Sequence, residues 1–418
     1  MSKISYKFVK LSSDVLPTFN VDNKGEIVKY GEDNLLPNKL LELSTQSSLH
    51  TAILDKKVKM SVGDGLSYDG ATNKKTQDFI DECNPYEGLN DILEKCAVDL
   101  EIFGGFSLEV IWSKDKTQIA EVYHMPYQHL RSSKLNEDNQ VDYLIYNRDW
   151  TSYTSINQCK LYPVFNKNIN KEDTQVLYSK KYTATNSYYP LPSYIGAIND
   201  INTLYQISVF NNACVTNNFQ PGIMIIFRGS LPTPDEQDDI IKGLEEKYKG
   251  SKNAGTPAVF FLDSDQEEPT IEQSDVSDLD KQYTILTGAI KESVVMGHSI
   301  PRPVAGLETE GSLGSSKEVI EGRMLFYNDY IKYEQNFILK ALNKIGKING
   351  LKKFKINNPS PSALLYSENI LDKILTQNEI RSLFGYDELE VEEITIEENT
   401  IEIEEDIDVE KNNDKEDE

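Results

Sequence analysis

The stretch SSKEVIEGRMLFYNDYIKYEQNFILKALNKI, residues 315–345, constrains this chain more than any other. Ser315, Ser316, Lys317 and Glu318 read as a capping box, in which a hydroxyl and a later carboxylate each satisfy a free backbone N–H at a helix start. The spacing predicts one helix of some 30 residues, ~45 Å long. Met324, Ile331, Ile338 and Ile345 fall seven apart and form an apolar seam, which needs a partner along its whole length. That partner is either a second copy in a coiled coil or the rest of the subunit or ring. Gly322 and Glu334 interrupt a second coiled-coil row.

The segment leading into it, PRPVAGLETEGSLGSSKE (301–318), shares only its glycines with a phosphate-binding loop. A P-loop ends in Gly-Lys-Ser/Thr, so that backbone N–H groups and a lysine meet the phosphates. Here Ser312 and Leu313 follow Gly311, Lys317 comes late, and Glu308 and Glu310 repel anions. The segment reads as a flexible, mildly acidic loop that does not grip a nucleotide.

Charge is unevenly placed along the 418 residues. Of the net −25, residues 387–418 hold −15, from 17 acids against two lysines, which leaves −10 for the other 386. No basic stripe is visible, which argues against a tight DNA binder but not against a protein that lets DNA pass. The acidic tail 387–418 is read as solvated and unstructured, with a docking peptide as the alternative. Cys83, Cys96, Cys159 and Cys214 form no CxxC pair and read as reduced thiols of a cytosolic setting. No signal peptide is seen and no apolar run approaches the ~18 residues of a membrane span, so no membrane partner is expected. The 23 tyrosines suit half-buried contacts between elements or subunits.

Along the chain, residues 1–36 read as an extended arm. A helix is expected from Pro37 to about Ser61, ended by Gly63-Asp64-Gly65, and another over Gly88 to Phe103, ended by Gly104-Gly105. Strands at Phe106–Trp112, Ile119–His124, His129–Ser132 and Val141–Tyr146 read as an antiparallel meander. A helix from Tyr194 to about Asn218 carries Ile198, Ile201, Tyr205 and Val209 on one stripe. Residues 220–263 read as β-α-β: a strand at Ile223–Phe227, a helix opened by the capping box Thr233–Glu236, and a strand at Ala258–Leu262. A helix over Ser277–Met296 places Leu279, Tyr283, Leu286, Ile290 and Val294 on one face. Short helices are expected at Ser362–Leu375 and Gln377–Phe384. The fold class is α+β.

No catalytic, metal or cofactor site emerges. His124 and His129 sit five apart around Met125-Pro126, which fits no metal-ligand spacing, and no cysteine lies near. His298 stands at a helix end, where capping or packing is expected, and His50 is the remaining histidine. The glycine pairs at 63–65 and 103–105 follow helices and read as C-caps. The chain is not expected to be an enzyme.

The order of these pieces resembles the portal proteins of long-tailed bacteriophages. The likeness is carried by YGEDNLLPNKLLELSTQSSLHTAILDKKVKMSVGDGL (30–66), DLEIFGGFSLEVIWSKDKTQIAEVYHMPYQHLR (99–131), YYPLPSYIGAINDI (188–201), NNFQPGIMIIFRGSLPTPDEQDDIIKGLEEKYKGSKNAGTPAVFFL (217–262) and LTQNEIRSLFGYDELE (375–390). The resemblance implies an elongated subunit: a wing of α+β structure over 37–192, stem helices at 193–219 and 275–297, and a small β-α-β clip at 220–265. A tunnel loop at 305–316, a long wing-crossing helix at 315–346 and a small helical crown region at 347–386 complete it. It further implies a ring of identical subunits, twelve in virions, at one vertex of a capsid assembled in the bacterial cytoplasm. Double-stranded DNA passes through such a ring, without sequence preference, during packaging and ejection. Gly306, Leu307, Glu308, Thr309, Glu310, Gly311, Ser312, Leu313, Gly314, Ser315 and Ser316 would then face the channel. Arg228, Ser230, Asp235, Glu236, Asp239, Lys242, Glu246 and Lys249 of the clip would dock the terminase large subunit and later the head–tail adaptor, with a major capsid or scaffold protein as a further partner. The alternative is a connector ring of a phage-like particle or injection system that holds no DNA.

Overall fold

The computed structural model describes residues 18–22, 26–167, 172–184, 187–216, 223–229, 239, 242, 258–263, 270–273, 279–307, 316–358 and 376–379. The chain divides into two units, Met1–Pro359 and Ser360–Glu418. In the second, the Glu379 carboxylate accepts from the Thr376 N–H (2.7 Å) and hydroxyl (2.8 Å), which starts a helix at Gln377 where the sequence places one. The helix expected over Ser362–Leu375 and the tail 387–418 lie outside the described residues.

The first unit is built on α4, Leu89–Phe103, and the strand β2, Gly105–Trp112, that follows it directly. Gly104 joins them at φ +82, and a Cβ there would stand 2.5 Å from the Leu191 carbonyl oxygen. Only glycine satisfies both the left-handed backbone and that approach. Phe106, Leu108, Val110 and Trp112 alternate inward from β2 onto Leu89, Ile92, Leu93, Cys96 and Leu100 of α4.

The expected meander is instead two three-stranded sheets. β2 lies between β3 (Ile119–His124) and β7 (Thr174–Lys180), antiparallel to both. β4 (Leu130–Ser132), β5 (Tyr143–Tyr146) and β6 (Lys160–Pro163) make the second. The second neighbour of β2, β7, begins at Thr174, far from β2 in sequence, and local alternation carries no information on such pairing.

Three other expectations change. The helix read as one from Pro37 is two, α1 (Leu36–Gln46) and α2 (Ser48–Val62), broken at Ser47, whose backbone is extended. A helix α3, Lys74–Asp81, capped by the Asn73 side chain, was not anticipated. Residues 354–356, placed in a helical C-terminal region, form a strand β11 (Phe354–Ile356) that pairs with β1 (Leu66–Tyr68) and buries Phe354 in the core.

The long helix is present, with a change of pitch inside it. α8 (Ser316–Phe326) passes through a π turn at Tyr327–Ile331 into α9 (Lys332–Ile348). Ile331, Ile338 and Ile345 are buried as the heptad predicts. The wider π turn rotates the preceding helix out of phase, so Phe326 is 2% exposed and Met324, the first seam residue, 39%. The partner of the seam is this same subunit: α9 lies on α4 and β11 in one core.

A second core joins α1, α2, Tyr30, Tyr127, Tyr189 and Tyr194. Its tyrosines stack (Tyr30 on Tyr189, centroids 4.0 Å apart) and send their hydroxyls to backbone carbonyls, Tyr30 to Pro190 and Tyr194 to Ile102, each at 2.9 Å. The arm therefore contributes to the core at Ile27, Val28 and Tyr30.

Candidate functional site

The helices α5 (Ile198–Thr216) and α6 (Leu279–Gly297) pack on each other with the start of one beside the end of the other. Gly297 makes this possible, since a Cβ there would lie 2.4 Å from that of Ala197. Ser293 donates to Asp200 across the pair. Ile201, Val294 and Val295 close the root into the second core, while Val209, Ile285 and Leu286, farther from the root, are exposed. Val209 and Leu286 thus differ from Ile201 and Val294, which share their stripes and are buried.

The root is tied to the body by His50 of α2 and His298, just after α6. Nδ1 of His50 and Nε2 of His298 are 2.8 Å apart, both rings fully buried against Tyr194. Burial, and then the Lys57 charge, push His50 down to about 4 and His298 down to about 2. The pair is neutral, one ring donating and the other accepting, and does the packing work expected of His298.

Next to it lies a buried ionic cluster. Lys57 Nζ stands 3.5 Å from Glu101 of α4 and 4.1 Å from the Tyr330 ring centroid in the π turn. The Tyr330 hydroxyl donates to Glu101 (2.9 Å), and Lys181, after β7, meets Glu334 of α9 at 2.6 Å. Burial lowers the Lys57 pKa against the pull of Glu101, and burial raises that of Glu334 against Lys181. Two lysines and two glutamates compensate one another, so α2, α4, α9, the chain after β7 and the π turn are held by charges that none can leave without stranding a partner.

From this joint the loop anchors follow. Ile300 and Val304 are buried, and Arg302–Ala305 forms a short helix α7 ended by Gly306 at φ +83. Lys56 donates to the Val304 carbonyl, and Arg302 pairs with Glu292 of α6 at 3.0 Å. Gly322 of α8 lets the chain 301–304 lie close, a Cβ there being 3.3 Å from Val304.

Of the residues read as a channel loop, Gly306 is thus a helix cap, Leu307 packs partly buried against the second core, and Ser316 begins α8. Glu308, Thr309, Glu310, Gly311, Ser312, Leu313, Gly314 and Ser315 lie outside the described residues. In the β-α-β segment, β8 (Ile223–Gly229) and β9 (Ala258–Asp263) are parallel, as a crossover requires. Asp239 and Lys242 between them are helical and exposed. A third strand, β10 (Thr270–Gln273), pairs antiparallel with β8 beyond the expected boundary at 265. Arg228 falls within β8; Ser230, Asp235, Glu236, Glu246 and Lys249 lie outside the described residues. His124, dismissed as a metal ligand, pairs with Asp99 at 2.8 Å, and among the described residues no group of three metal-binding side chains converges. The histidine joint and ionic cluster have no sequence motif, because their members come from five separate stretches.

No family model and no curated protein matches the chain. Among solved structures it is similar to a chain of the native gene transfer agent virion, at TM-score 0.53 and 14% identity over 84% of this chain and 94% of that one. It is similar also to a chain of the native gene transfer agent neck computed with C12 symmetry, at 0.52 and 15% over 84% and 95%. An HK97-family phage portal protein from Corynebacterium diphtheriae matches at 0.43 and 14% over 80% and 97%. The chain thus shares its fold, over most of its length, with chains of the gene transfer agent particle and its neck.

Proposed function

We propose that this chain is the portal subunit of a tailed phage or phage-like particle, forming a closed ring through which double-stranded DNA is packaged and ejected. The observation that carries the reading is the apolar surface left on helices whose roots are fixed. Ile285, Leu286 and Met296 on α6, and Val319, Met324 and Leu325 on α8, are exposed in the single subunit. On this reading these side chains are the ones a neighbouring subunit covers, and a head-to-tail contact repeated by rotation closes a ring. The C12 neck to which the fold is similar supports a ring of twelve. On this reading α5 and α6 are the stem, β8–β10 with their crossover form the clip that docks the terminase and then the adaptor, and 308–315 is the channel loop.

A channel loop must touch a sliding polyanion without holding it. Each Lys or Arg that neutralises a phosphate adds affinity through counterion release, and a ring multiplies that into a brake. The acidic Glu308 and Glu310 oppose it. The double variant Glu308→Lys with Glu310→Lys is expected to fold and assemble, to retain DNA on purified rings at low but not at high salt, and to shorten the DNA packaged per particle. Normal packaging with no added DNA affinity would show that this loop does not face DNA, and rings that never admit DNA would favour the connector alternative.

A further inference from the structure

A cavity of about 330 Å³ opens between β7 and α9, lined by no residue of the stem, clip or loop. Its floor is apolar: Phe165 and Leu177 from the sheet side, each 5% exposed, and Phe337 from α9. Its rim is cationic, made by Lys180 at the end of β7 and by Lys340 and Lys344, one turn apart on α9. No carboxylate lines it. Lys344 lies over the Phe165 ring, 4.9 Å from its centroid, and Lys167 adds a like charge that, after burial, lowers the Lys344 pKa. Lys180 donates to the Ser187 carbonyl and is pushed down to about 8 by burial. Among the described residues Lys340 and Lys344 have no acidic partner.

That concentration of unneutralised ammonium groups is anomalous in a chain of net charge −25. The joint only a short way along α9 shows the contrast, for there each buried lysine has its glutamate. Like charges one turn apart on a helix repel modestly, and an anion bound between them turns that repulsion into attraction. The concave aromatic floor selects among anions. A DNA backbone presents charge but no apolar group to fill a hollow. A peptide with an aliphatic side chain flanked by carboxylates satisfies floor and rim together, and the volume falls at the small end of the roughly 300–1,000 Å³ of ligand pockets.

We propose that the cavity bounded by Phe165, Leu177, Phe337, Lys180, Lys340 and Lys344 is a docking site for an acidic segment of a partner protein, anchored by an aliphatic residue between carboxylates. The rim steers and orients the segment, and the floor holds it.

The test is fluorescence anisotropy on the purified full-length chain with the labelled peptide EEIEDLEE. Binding is expected to weaken at least tenfold between 50 and 500 mM salt. It is expected to weaken at least tenfold for the uncharged peptide QQIQNLQQ and for EESEDSEE, which lacks the anchor. The variant Lys340→Glu with Lys344→Glu should lose binding while keeping its circular dichroism and Tm, both side chains being exposed. The milder Lys340→Ala should weaken binding severalfold. Absence of binding by the wild-type chain, equal binding by the double variant, or equal binding of EESEDSEE overturns the proposal. So does a short DNA duplex that binds at Lys340 and Lys344 where the peptide does not.

Discussion

His50 and His298 show how one residue pair couples a helix root to pH. Both are neutral when folded, with pKa values of about 4 and about 2 against the ordinary 6.5. As pH falls below 6.5 the unfolded chain takes up protons before the folded one, so stability is full above that value and is lost on acidification toward the folded pKa. The loss between pH 7 and 5 is on the order of 2 kcal/mol per ring. His50→Gln with His298→Leu should therefore flatten the fall of Tm over that range, whatever its effect at pH 7; an unchanged slope would show that the pair is not the acid-sensitive joint. Lys57 makes a second case. Lys57→Met leaves Glu101 buried without its cation, and removal of one partner from such a pair costs ~3–5 kcal/mol. A denaturant midpoint close to wild type would mean that the cluster is looser than its geometry. A packing role for His298 was legible from its place at a helix end, but its partner His50 was not, and Lys57 looks like a surface lysine until Glu101 is known to face it.

Among the elements, the helices were legible and the pairings were not. Amphipathic period and glycine stops located α4, α5, α6 and the α8–α9 helix because each is set by neighbours three and four residues away. The strands β1, β10 and β11 were missed because they are short and find their partners through the tertiary fold. The break at Ser47 and the π turn at 327–331 escaped because they are set by packing: Tyr330 turns toward Glu101 and Phe326 into the core. The π turn has a consequence for the loop, because α8 carries its far anchor. Inserting an alanine between Phe326 and Tyr327 should turn α8 by about 100° relative to α9. Phe326 would leave the core and Gly322 would leave Val304, at a cost of about 3 kcal/mol, comparable to a buried phenylalanine truncation. The insertion should lower Tm and expose 301–316 to protease, whereas deleting Asp329, which is exposed, removes the extra residue of the π turn and should leave α8 near its present phase. Wild-type stability and cleavage in the insertion would show that the phase of α8 is incidental to the loop.

For the whole molecule, the account rests on closure. A subunit that leaves apolar residues exposed on α6 and α8, yet fixes both helices at their roots by Gly297, the histidine pair and Gly322, is preorganised for a contact it cannot make alone. The order of elements in the sequence carried the reading as far as the fold, and the proposed ring rests on that order, because order survives when individual motifs do not. It did not locate the joint or the lysine-rimmed cavity, which exist only once distant stretches meet. Native mass spectrometry of the purified full-length chain tests closure most directly. A ring of twelve 47.5 kDa subunits has a mass of about 570 kDa, and a single species near that value across the micromolar range is the expected result. Monomer alone across the same range, with no rings in electron micrographs, would contradict the account.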